Sequence, residues 1–171
     1  VGHEALLRWN HELHGPLPPA EFIGVGEDSG LIEQVDWLLY RKVVSWMGRS
    51  PEGYVSINVS PRHFHAEDFA ERLLRTADEA NVDPRRLRIE ITEGAVMADY
   101  QDGRELLARL RRLGFGIAVD DFGSGYSSLR YVHSLPVTRL KLDRQFTAGV
   151  GEEGGGANVA DMIIALGRRL G

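Results

Sequence analysis

Several short segments of this chain are apolar on one parity and polar on the other. Val55, Ile57 and Val59 alternate with Ser56, Asn58 and Ser60. Leu87, Ile89 and Ile91 alternate with Arg88, Glu90 and Thr92. Ile117 and Val119 alternate with Ala118 and Asp120, and Leu140 and Leu142 flank Lys141. Successive side chains of a strand point to opposite faces, so each segment has one apolar and one polar face. A central strand of an open doubly wound sheet is apolar on both faces. A β/α barrel supplies both environments: helices cover the outside, and the lumen takes active-site side chains at the C-terminal ends of the strands. A further extended segment, Glu4 to Trp9, carries its acid near the beginning rather than the end.

Helical patterns separate these segments. Leu31 to Met47 shows an apolar stripe at Leu31, Val35, Leu38, Leu39 and Val43. Asp68 to Ala80, Asp99 to Leu113, a short stretch from Ser127 to Ser134, and Asn158 to Leu170 also read as helices. Strands are expected over Tyr54 to Ser60, Leu87 to Thr92, Phe115 to Asp120 and Thr138 to Asp143. Strand and helix alternating at this spacing argue for a parallel α/β fold. The expected architecture is a (β/α)8 TIM-like barrel, partial in this chain, with about five of the eight strands. Residues 1–171 form one domain.

Composition closes off other classes. With no cysteine, disulfides, thiolate catalysis and Cys-based zinc sites are excluded. The formal net charge of -5 gives no basic surface for a nucleic-acid polymer or an anionic membrane. No signal-peptide pattern opens the chain, and the apolar run Met162 to Leu166 is too short to span a bilayer. A cytoplasmic location is expected.

The inward-pointing residues are Glu4, Asn58, Glu90, Asp120 and Lys141, with Glu93 and Asp121 close by in sequence. Carboxylates converging at one barrel mouth repel one another and need cations to stay ionised. Oxygen donors without His or Cys suit Mg²⁺ or Mn²⁺. Adjacent Asp120 and Asp121 fit a two-metal site of the kind that cleaves phosphodiesters, with Lys141 steadying the attacking water or the developing phosphorane charge. Taken singly, each of these residues reads equally as a polar strand end or a helix cap. The recurrence on one parity of successive strands favours a site.

The motifs resemble the EAL family. Glu4-Ala5-Leu6-Leu7-Arg8-Trp9 is similar to the signature that names it, and Asn58-Val59-Ser60 to its Asn-x-Ser element. Glu90-Ile91-Thr92-Glu93, the loop Asp120-Asp121-Phe122-Gly123-Ser124-Gly125-Tyr126-Ser127-Ser128-Leu129, and Lys141-Leu142-Asp143 follow in the family's order. The resemblance implies a phosphodiesterase that opens cyclic di-GMP to linear pGpG with two divalent cations. It implies Glu4, Asn58, Glu90 and Asp120 on the first cation, and Asp120 with Asp121 on the second. Lys141 would act with the nucleophilic water, and Leu6, Arg8 and Asn58 would bind substrate. Glu93 would brace the loop after Asp120. It further implies a homodimer through the loop and helix after Asp121, and an upstream sensor or diguanylate cyclase-like domain in the parent protein. The family pattern has a strand before Glu4, and a C-terminal strand bearing a catalytic glutamate, neither of which is in this sequence. The alternative expectation is therefore a catalytically inactive cyclic di-GMP-binding or protein-docking module.

Other features are discounted. His11-Glu12-Leu13-His14 lacks the i, i+4 spacing of a zincin helix and reads as a loop. His63 and His65 read as a surface turn, and Gly24-x-Gly26-x-x-x-Gly30 as a helix end. Asp121-Phe122-Gly123 has no accompanying kinase elements, and Gly151 to Gly156 reads as a loop. Trp9, Trp37 and Trp46 are expected to pack in the core or in helix-barrel contacts, with Trp9 at the pocket edge as an alternative.

Overall fold

The computed structural model of the chain describes residues 1–50, 52–123, 134–143 and 145. Five strands form one parallel sheet in the order β1 (Gly2–Ala5), β4 (Tyr54–Asn58), β5 (Leu87–Thr92), β6 (Gly116–Phe122) and β7 (Arg139–Leu142). Between the first two lie a hairpin, β2 (Trp9–His11) and β3 (Gly15–Leu17), then helices α1 (Pro19–Ser29) and α2 (Ile32–Arg49). Helix α3 (Phe69–Glu79) links β4 to β5, and α4 (Glu93–Ala98) and α5 (Tyr100–Arg112) link β5 to β6. The result is a half-barrel of five parallel strands with helices on its outer side, as the alternation predicts.

The outer face is the core. Ile57, Leu87, Ile89 and Ile117 are fully buried, as are Tyr40 and Met47 of α2, Leu73 and Ala77 of α3, and Leu107 and Leu110 of α5. Each large apolar side chain removed from water in this way contributes about 1.5–3 kcal/mol. On the other face, Gly2 lies beside Tyr54 in the register. A Cβ on Gly2 would stand 2.1 Å from the Tyr54 ring, over which the Arg88 guanidinium stacks at 3.7 Å. Glycine at this position leaves room for the Tyr54 ring over β1.

Several local expectations are corrected. The segment from Glu4 to Trp9 is not one strand: β1 ends at Ala5, and Trp9 begins the hairpin. Because β1 starts at Gly2, Glu4 lies in its C-terminal half and obeys the same rule as the other four strands. The buried face of α2 is Ile32, Asp36, Trp37, Tyr40, Val43, Val44 and Met47, while Leu31 and Leu38 are exposed. The larger apolar side chains Trp37, Tyr40, Val44 and Met47 set this face, and Asp36 lies within it against a buried partner. That partner is His63, which is 1% exposed in the 3₁₀ turn Pro61–His65 rather than on a surface turn. Trp37 packs in the core as expected, whereas Trp9 and Trp46 are about half exposed: Trp46 lies edge-on to His3 of β1, and Trp9, edge-on to Phe22, lines a cavity with Leu7 and Arg8.

The helix end expected at Gly30 is there: the residue takes φ 78° and its N–H donates to the Glu27 carbonyl. His11 ends β2 and His14 lies in the hairpin turn, which is not a zincin helix. The helices expected over 127–134 and 158–170, and the glycine run 151–156, lie outside the described residues apart from Ser134, which is in a turn.

Candidate active site at the mouth of the half-barrel

Parity and register bring the expected residues together. Asn58 pairs with Glu90 in the β4–β5 register, and Thr92 with Asp120 in the β5–β6 register. Carboxylate oxygens of Glu4, Glu90 and Asp120 lie within 4.8 Å of one another. Lys141 Nζ sits among them, donating to Glu90 Oε2 at 2.6 Å and Asp120 Oδ2 at 2.7 Å, with Glu4 Oε2 at 3.6 Å. Asn58 Nδ2 donates to Glu4 Oε1 at 3.3 Å. The ammonium offsets one of three negative charges, so the cluster retains an excess that a divalent cation would neutralise. An all-oxygen donor set around an acidic centre fits Mg²⁺ or Mn²⁺.

Irregular backbone places the two aspartates differently. Val119 pairs with Leu140 but Phe122 with Leu142, so the β6 side carries one more residue than β7. Such a bulge re-aims side chains and is frequent beside active sites. Asp120 turns to Lys141, while Asp121 takes the left-handed conformation, φ 53°, and donates its N–H to Asp120 Oδ1 at 2.9 Å. Asp121 is exposed at the mouth, next in sequence to Asp120 but outside the three-carboxylate group.

The electrostatics follow. Burial works against the Lys141 ammonium, but its hydrogen bonds to Asp120 and Glu90 outweigh that and raise its pKa well above the ordinary 10.5. Held by these two carboxylates, Lys141 carries its positive charge at neutral pH. The Asp121 carboxyl is raised, first by partial burial and then by the charges of Asp120 and Asp143, with Lys141 offsetting part of the effect.

Glu93, at the first turn of α4, is 3% exposed, and its Oε2 accepts the Gly123 N–H at 2.8 Å. Gly123 has φ 98°, a conformation that favours glycine. Thr92 caps α4 by accepting from the Ala95 N–H. Leu6, Arg8 and Asn58, expected at the substrate, line a cavity of about 250 Å³ with Glu90, Glu27 and Asp36. Arg8 is exposed, its Nη1 donating to the Leu7 carbonyl, which leaves other guanidinium N–H groups for a ligand.

Two features escaped sequence reasoning. The buried Asp36–His63 pair, Nε2 to Oδ2 at 3.0 Å, joins residues 27 positions apart, and no local pattern signals it. Tyr40 Oη donates to the Asn58 carbonyl at 3.2 Å. The expected dimer element after Asp121 includes residues 124–133, which lie outside the described residues. No helix among the described residues is long and apolar enough to cross a membrane.

Comparison with known proteins identifies the family and the fold. The chain is 37% identical over 170-odd residues to the cyclic di-GMP phosphodiesterase PA2567 of Pseudomonas aeruginosa, an alignment covering 100% of this chain and 30% of that protein. It is 35% identical to the bifunctional diguanylate cyclase/cyclic di-GMP phosphodiesterase MucR of the same organism, covering 99% of this chain and 26% of the relative. The chain thus spans less than a third of the length of these curated relatives. Among solved structures, the PaMucR phosphodiesterase in complex with c-di-GMP superposes with a TM-score of 0.89 at 32% identity, over 98% of this chain and 70% of that one. The sequence pattern of the EAL domain matches residues 1–171, and the chain belongs to the EAL domain family.

Proposed function

We propose that this domain hydrolyses one phosphodiester of cyclic di-GMP to linear pGpG at a site for two divalent cations. The observation that carries this reading is the convergence of Glu4, Glu90 and Asp120 oxygens within 4.8 Å around Lys141. The likeness to proteins named cyclic di-GMP phosphodiesterases, and to a structure holding c-di-GMP, supports the choice of substrate.

In this proposal Glu4, Asn58, Glu90 and Asp120 hold one cation, and Asp120 with Asp121 the other. Bound there, the cations supply Lewis acidity that favours ionised water and offsets phosphate charge. Asn58, whose Nδ2 faces Glu4, keeps its amide oxygen as the ligand atom. Arg8 holds the phosphate at the cavity rim, with Leu6 packing beside it. The water oxygen bonds to phosphorus, the bond to one 3′ oxygen breaks, and that oxygen takes the proton, leaving a 5′-phosphate and a 3′-hydroxyl. Lys141 faces the charge that builds on the phosphorane. Glu93 fixes the loop behind the two aspartates through Gly123.

The domain acts in the cytoplasm as part of a longer protein. An upstream sensor or cyclase-like domain regulates it, and its homodimer forms through the segment after Asp121. The small share of the multidomain relatives that this chain spans supports the regulatory part.

The test is cyclic di-GMP turnover by the full-length protein with Mg²⁺, with Mn²⁺ and with chelator. Metal-dependent pGpG that disappears in Asp120→Ala is expected. Tight cyclic di-GMP binding without cleavage under every condition would make the domain a receptor and overturn the hydrolytic reading.

A further inference from the structure

We propose that Tyr40 is a positioning residue that fixes Asn58 for cation binding, and that the buried Asp36–His63 pair braces the same segment. The inference rests on the metal site proposed above.

Asp36 and Tyr40 are four residues apart on α2 and so share one face of the helix. Each grips a different end of the chain leaving β4. Tyr40 Oη donates to the carbonyl of Asn58, the last residue of the strand. Asp36 Oδ2 meets His63 Nε2 at 3.0 Å, five residues further on. The segment 58–63 is thus tied at both ends to one rigid helix. Between the ties, Ser60 Oγ donates to Glu27 Oε1 at 3.1 Å, and Arg62 Nη1 to the Glu27 carbonyl at 2.9 Å.

The ties are buried, which makes them specific. Tyr40 is 0% exposed, and Asp36 and His63 are 4% and 1% exposed. His63 stacks on Phe69 with ring centroids 4.4 Å apart, and Trp37 packs edge-on to His63 and against Phe69. Buried polar groups stay only where they are satisfied, and a satisfied network holds one geometry. That geometry sets where Asn58 ends: its backbone is fixed by Tyr40 and its Nδ2 by Glu4. Partners that orient a ligand commonly change metal affinity about 10–100-fold when removed. Burial and then the neighbouring Asp36 carboxylate raise the Tyr40 pKa, so the two side chains form one polar unit on α2.

The test compares Tyr40→Phe, Asn58→Ala and the double variant in the full-length protein. Mn²⁺ affinity is read by electron paramagnetic resonance titration without substrate, and Tm by melting in chelator. Tyr40→Phe is expected to weaken Mn²⁺ binding roughly 10-fold in the parent background and not at all in the Asn58→Ala background. Its loss in Tm should be the same in both. His63→Ala should also weaken Mn²⁺ binding, with His63→Gln, which keeps a donor to Asp36, restoring part of it. Parent-like affinity in Tyr40→Phe, or an undiminished effect once Asn58 is gone, overturns the positioning role while leaving the metal site standing. Parent-like affinity in Asn58→Ala overturns the assignment of Asn58 to the metal, and the positioning role with it.

Discussion

Lys141 Nζ donates to Glu90 Oε2 across 2.6 Å, reaching from β7 over β6 to a carboxylate on β5 that is only 4% exposed. Removing the ammonium strands a buried charge. Lys141→Met should therefore cost about 2–4 kcal/mol in chelator, measured by urea denaturation. Adding Mn²⁺ should recover part of that loss, since a cation then faces Glu90 and no ammonium competes for it. Turnover should nonetheless fall roughly 100-fold. Because the Lys141 pKa is raised, the pair's contribution is complete below the ordinary value of 10.5 and fades only as pH rises through the folded value. Between neutral pH and pH 9 or so, the difference in stability between parent and variant should stay flat for this group.

Asp120 gives the opposite signature. Asp120→Asn leaves Lys141 its bond to Glu90, so stability in chelator should change little. Mn²⁺ binding should weaken by about 100-fold or more, since the proposal assigns this carboxylate to both cations. Calorimetric titration of metal into the substrate-free protein measures it. Parent-like affinity would remove Asp120 from the ligand set.

The raised pKa of Asp121 makes a prediction about acid. Its folded state holds the proton more tightly than the unfolded chain does, so ionising it costs stability. The cost is absent below the unfolded carboxyl value, appears as pH rises towards the folded value, and is constant above it. In chelator, Asp121→Asn should thus be more stable than the parent at neutral pH, and the advantage should vanish in acid. Saturating Mg²⁺ should reverse the order at neutral pH by favouring the ionised parent. Melting curves across pH, with and without metal, read both effects.

How legible these features were depends on the range over which they act. Glu4, Asn58, Glu90, Asp120 and Lys141 were visible because side-chain direction in a strand has a period of two, and a polar residue on the lumen parity stands out against apolar neighbours. The bulge that separates Asp120 from Asp121 was not visible, because register against a partner strand is not written in either strand alone. The burial of Asp36 on α2 has a related cause. Asp36 counts as surface by composition and becomes core only once His63 is folded against it, 27 residues later in the chain. Trp9 and Trp46 show the converse, large apolar residues left exposed where hydrophobicity alone puts them inside.

Glu93 ties two loops of the mouth together. Its carboxylate is buried at the start of α4, where the helix dipole favours negative charge, and it accepts the N–H of Gly123 two residues beyond Asp121. The bond connects the helix after β5 to the turn after β6, at the point where φ is positive at both Asp121 and Gly123. Glu93→Ala leaves that N–H without its acceptor and should cost about 1.5–3 kcal/mol. Glu93→Gln keeps an oxygen acceptor and loses the charge, so it should cost about half as much. If the bond sets the position of Asp121, the two variants should lose Mn²⁺ affinity in the same order as they lose stability, and Glu93→Ala should lower kcat more than it raises KM. Glu93→Ala with parent-like Mn²⁺ affinity and kcat would reduce the bond to a structural tie with no bearing on the aspartates.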